Sequence, residues 1–136
     1  MKYSKLYLFS FIFILNSCNF SKTTTSPNSS TEYPVEFSIN VDPGDSGILA
    51  VVGTSQVINV NVSSQMPSEG LIIDVTATKD ADNSILYSKS ISTVSSNNIF
   101  IITELKPGVL CTVKVVVTSK SSLSNTKTTS FKLAAK

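Results

Sequence analysis

From residue 33 onward, apolar and polar residues alternate with a period of two, and this feature restricts the chain to β structure. The clearest stretch sets Ile58, Val60 and Val62 against Asn59, Asn61 and Ser63. Successive side chains of a strand point to opposite faces, so the run predicts a half-buried strand with its apolar row inward. Val35, Phe37, Ile39 and Val41 alternate likewise with Glu36, Ser38 and Asn40, up to a turn at Asp42, Pro43, Gly44 and Asp45. Leu71, Ile73, Val75 and Ala77 face one way while Ile72, Asp74, Thr76 and Thr78 face the other. Residues 48–52, 98–105, 110–119 and 126–133 supply further strands. Ile85, Tyr87, Lys89 and Ile91 read as an edge strand, because it carries charge. No stretch in this region has the period of an amphipathic helix.

Short strands recurring about every ten residues, with polar turns between them, predict an all-β fold: one antiparallel two-layer sandwich over residues 33–136. Seven strands result if residues 35–41 and 48–52 are halves of a first strand that changes sheets at Pro43 and Gly44, and eight if they are separate. An irregular eight-stranded barrel is the alternative. Ile58, Val60, Ile73, Ile102, Leu105, Val113 and Val115 are the expected core.

The first residues belong to a different regime. Lys2 and Lys5 precede an uncharged apolar block, residues 6–15, which is about half the length a membrane-spanning helix needs. This is the layout of a cleaved leader over residues 1–17. Leu15, Asn16, Ser17 and Cys18 resemble a bacterial lipobox. That resemblance implies lipidation of Cys18, attachment to a bacterial envelope membrane, and, with Asn19 rather than Asp next, the outer membrane. Which membrane face it occupies stays open, and an ordinary secretory leader with an incidental cysteine is the alternative. Residues 18–32, rich in Ser, Thr and Asn, read as a tether; a flexible coil of about 14 residues reaches roughly 20 Å. If Cys18 carries lipid, Cys111 has no partner within the chain. Loss of Lys2 and Lys5 leaves nine lysines against nine acids, so attraction to polyanions is not expected.

Phe100, Ile102, Leu105, Lys106, Pro107 and Gly108, followed by Val113, Val115 and Val117, resemble a strand, turn and strand of fibronectin type III modules. Pro43 to Gly47, Val52, Gly53, Thr54, Val57, Val60 and Val62 are similar to the opening of bacterial Ig-like modules. The likeness covers nearly all of residues 33–136 and implies a non-catalytic binding or structural module. It departs at Cys111, where such modules place a tyrosine, and at Val62, where a core tryptophan is common.

Composition removes most catalytic chemistry. The chain has no His, and all 11 of its basic residues are Lys. Ser-His and Cys-His nucleophiles and His-metal sites are therefore unavailable, and so is a bidentate guanidinium grip on phosphate or guanine. No enzyme activity, cofactor or nucleic-acid partner is expected. Cys111 reads as a small core residue. Asp80, Asp82 and Ser84 begin like a calcium loop, but Ile85 and Ile91 occupy the places of its Gly and Glu. A looser ion site joining Asp80 and Asp82 to Glu104 is the remaining metal candidate. Lys89, Lys106 and Lys114 read as solvated or edge-protecting lysines, and Tyr33 and Tyr87 as rings able to stack on a sugar.

Strand polarity places the tether at one pole with loops 64–70 and 120–125, and the turns at Asp80–Asn83 and Lys106–Gly108 at the other. Met66, Pro67 and Leu123 are the candidate binding residues near the tether, either meeting a partner or lipid or capping the core. The expected partners are a membrane, through the N-terminal lipid, and a protein. An accessory subunit of an envelope complex, holding its partner by strand addition, and a carbohydrate-binding module are the alternative functions.

Overall fold

The alternating stretches form eight strands: β1 (Phe37–Ile39), β2 (Ile48–Val51), β3 (Gln56–Val62), β4 (Leu71–Lys79), β5 (Ile85–Thr93), β6 (Asn97–Ile102), β7 (Leu110–Ser119) and β8 (Thr126–Ala135). They come from a computed structural model that describes residues 32–41 and 47–136. The expected leader, Cys18, the tether before Glu32 and the Asp42–Asp45 turn lie outside the described residues. Among the described residues there is no helix, and so none long and apolar enough to cross a membrane.

The strands divide into a small sheet in the order β1-β3-β6 and a large one in the order β2-β8-β7-β4-β5. The inner rows of both sheets bury one common core. Ile58 and Val60 of β3 and Phe100 and Ile102 of β6 lie opposite Ile73 and Val75 of β4 and Val113 and Val115 of β7, all without solvent exposure. Leu105 follows β6 in the loop yet is also buried, its N–H donating to the Thr54 carbonyl at 3.0 Å. All seven expected core residues are buried, and two sheets packed on one core make a β-sandwich rather than a barrel.

The expectation of a purely antiparallel sandwich needs correction. β2 pairs in parallel with β8, Ile48 beside Lys132 and Val51 beside Ala135. The cause is the change of sheet early in the chain. β1 lies antiparallel to β3 in the small sheet, and β2 continues in the same direction on the large sheet, where it meets β8 running alongside. The expected 35–41 strand is shorter than its alternation, with ladder pairing only over Phe37–Ile39, although Val35 is buried before it.

Lysines stand at both open sides of the sandwich. On one side Lys127 of β8 pairs with Glu36 just before β1 at 2.8 Å. On the other, Lys89 of β5 lies beside the buried Val75, hence on the inward row, and its ammonium sits 5.9 Å from the Phe100 ring centre.

Candidate functional site

Two places carry exposed chemistry: the pole where the chain enters the sandwich, and the free edge of β6. At the pole, the incoming segment is fastened to the loop between β7 and β8. Asn125 clamps it with both ends of its amide, accepting from the Val35 N–H at 2.8 Å and donating to the Tyr33 carbonyl at 2.9 Å. Glu32, the last residue of the expected tether, accepts the Ser119 hydroxyl on one carboxylate oxygen. Its other oxygen is shut off from solvent and has no partner among the described residues. Loop 64–70 closes the same pole, because Gly70 turns at φ 82° and takes the Lys120 N–H on its carbonyl at 3.0 Å. A side chain at Gly70 would strike the Thr93 carbonyl oxygen, so this close approach requires glycine.

These contacts bound an open cleft of about 720 Å³ between the incoming segment and the two loops. The structure separates the three candidate binding residues. Met66 and Pro67 line the cleft, and Met66 also packs on the core. Leu123 does not line it and stands 71% exposed. Tyr33 borders the cleft and is 65% exposed.

At the opposite pole, Asp80 is fully engaged: Lys132 donates at 2.6 Å and the Thr112 hydroxyl at 2.7 Å. These hydrogen bonds, that of Lys132 first, hold its pKa below the usual 3.8. Asp82 accepts from the Ser84 hydroxyl at 2.6 Å and the Ser84 N–H at 2.9 Å, which lowers its pKa likewise. This is Asx-turn chemistry, closed by Asn83 at φ 56°. Glu104, also left-handed at φ 63°, does not join them: among the described residues no group of three or more acidic, His or Cys side chains is placed to hold a metal ion. Cys111 is buried, and desolvation, aided by the Asp80 charge, raises its pKa and keeps the thiol protonated. Tyr87 is partly buried against the core, which raises its pKa and leaves little ring for stacking.

The edge of β6 is the feature that strand-by-strand reading passed over. Asn98, Phe100 and Ile102 point inward, which leaves Asn97, Ile99 and Ile101 on the outer face. Ile99 is 63% exposed and Ile101 52%, and Val57, directly across from Ile101 on β3, is 49% exposed. On its far side β6 has no neighbouring strand among the described residues. None of β1, β3 or β6 carries a charged residue. The alternation in Asn97–Ile102 was a sufficient signal for the exposed row, but not for the open edge.

No protein-family model matches the chain, and no curated protein matches it.

Proposed function

We propose that this is a lipid-anchored protein of the bacterial envelope whose Ig-like or fibronectin type III-like sandwich is a non-catalytic binding module, holding a protein partner by strand addition along β6. The leader layout and Cys18 support the anchor. The strand order supports the Ig-like reading: a first strand split between sheets, and a β4-β5 hairpin kept within the larger sheet.

The observation that carries the function is the edge of β6, flanked by Ile99 and Ile101 and without a charged residue in the strand itself. Exposed apolar edges invite pairing, and soluble proteins ordinarily blunt them with lysine, proline or a bulge. An incoming strand would satisfy the unpaired N–H and C=O groups and cover Val57, Ile99 and Ile101. The supporting experiment introduces Ile99→Lys in one variant and Ser90→Lys on β5 in another, and recovers each full-length protein from crosslinked envelopes. A stoichiometric partner lost with Ile99→Lys and retained with Ser90→Lys is expected. Equal retention in both would refute strand addition at β6.

A further inference from the structure

The cleft beside the incoming segment has a lining whose chemistry selects a ligand class. It combines the exposed Tyr33 ring and the apolar surfaces of Met66 and Pro67 with hydrogen-bonding groups from Glu32, Gln65 and Ser121. Among the described residues no cationic side chain lines it, which disfavours phosphates, sulfates and carboxylated ligands, and the Glu32 carboxylate would repel them. The hydroxyl and amide groups are too many for a purely apolar ligand, since each would lose water without a replacement partner. The remaining match is a neutral molecule rich in hydroxyls that also has an apolar face for the tyrosine ring.

We infer that this cleft binds a neutral saccharide, with a pyranose face against Tyr33 and sugar hydroxyls bonded to the Gln65 amide and the Ser121 hydroxyl. The wall that carries Tyr33 is held in place before any ligand arrives, because Ser119 holds the Glu32 carboxylate and Asn125 clamps the Tyr33 carbonyl and the Val35 N–H. A site organised in advance loses less entropy on binding. The cleft volume of about 720 Å³ falls in the usual range for small-molecule sites and accommodates more than one sugar ring. The site lies at the pole from which the tether leaves, so the sugar could be a free oligosaccharide or the headgroup of a neutral glycolipid. Nothing in this inference depends on the β6 edge.

The test uses the full-length protein in detergent micelles, titrated with neutral gluco-, galacto-, manno- and N-acetylglucosamine oligosaccharides and followed by calorimetry. In parallel, the protein is titrated with phosphatidylcholine vesicles with and without a neutral glycolipid. Saturable binding to at least one free sugar is expected, or to glycolipid vesicles alone if the source is a headgroup. Tyr33→Ala should weaken it by about tenfold, the change that about 1.4 kcal/mol corresponds to, without shifting the melting temperature, because the ring is largely exposed. Gln65→Ala removes the lining amide and should weaken binding less. Ile99→Lys should leave sugar binding unchanged while removing the β6 partner. Absence of binding in both arms, a Tyr33→Ala protein that binds as well as the parent, or a preference for anionic sugars would each overturn the inference.

Discussion

β5 and β6 follow one another in the chain and, among the described residues, both are edge strands, one in each sheet, yet they are built on opposite plans. β5 is protected in three ways: Lys89 on its inward row, a register shift opposite Ala77 and Thr78, and an outward row of Ser88, Ser90 and Ser92. β6 carries none of these in its own sequence, with only the Lys89 ammonium of β5 over its inward Phe100, and shows Ile99 and Ile101 to solvent. The Ser95 turn between them is tightly made, with Ser95 accepting the Asn97 N–H at 3.2 Å and the Asn98 amide donating to the Ser95 carbonyl at 2.8 Å. Asn98 therefore satisfies itself on the inner face, and β6 leaves the turn in a fixed register. The contrast is between an edge strand that carries its own charge and one of similar exposure that carries none.

The inner rows should show no such contrast, and the largest effects are expected there. Ile102→Ala in the small sheet and Val113→Ala in the large one should each cost about 2–4 kcal/mol in urea unfolding, because both side chains are fully buried in the shared core. A loss at one site and not the other would mean that the sheets do not share a core, and the comparison of their edges would fail with it.

Exchanging the protection is the next largest change. Lys89→Ile should leave folding intact while producing concentration-dependent self-association in sedimentation experiments, since it removes the inward charge from β5. The cation over Phe100 contributes about 0.5–1 kcal/mol at such an exposed site, so the loss of stability should be of that size. If Lys89→Ile stays monomeric at every concentration, the lysine is not what protects β5.

The smallest effect concerns the pole away from the tether and sharpens the contrast between a self-satisfied turn and an unsatisfied edge. The Asp80 pKa is lowered in the folded protein, so its contribution to stability is present above 3.8 and is lost as pH falls through the folded value. Lys132→Ala should raise that pKa towards 3.8, read by carboxyl NMR titration of Asp80. Unchanged titration would show that Lys132 does not hold the turn.

How far the sequence could be read follows from which interactions are local. Alternation such as Ile58, Val60, Val62 is a property of neighbouring residues, so the inward rows, the core and the all-β class were legible. Cys111 was legible as a core residue because it shares a row with Val113 and Val115. The parallel β2-β8 pairing was not, because it joins Ile48 to Lys132 across most of the chain and no local pattern encodes it. Glu32 looked like tether because its neighbours are polar, and only the distant Ser119 and Asn125 fix that segment to the sandwich. The edge character of β5 was announced by a charge within the strand itself. That of β6 depends on the absence of a neighbour.

The most direct measurement of β6 as the working edge places a photocrosslinking amino acid at Ile99 or Ile101 in one set of full-length proteins and at Ser88 or Ser90 in another, irradiated in intact envelopes. One dominant adduct of the same partner at both β6 positions, absent at both β5 positions, is the expected result. Adducts of equal yield on the two strands, or none on β6, would contradict it.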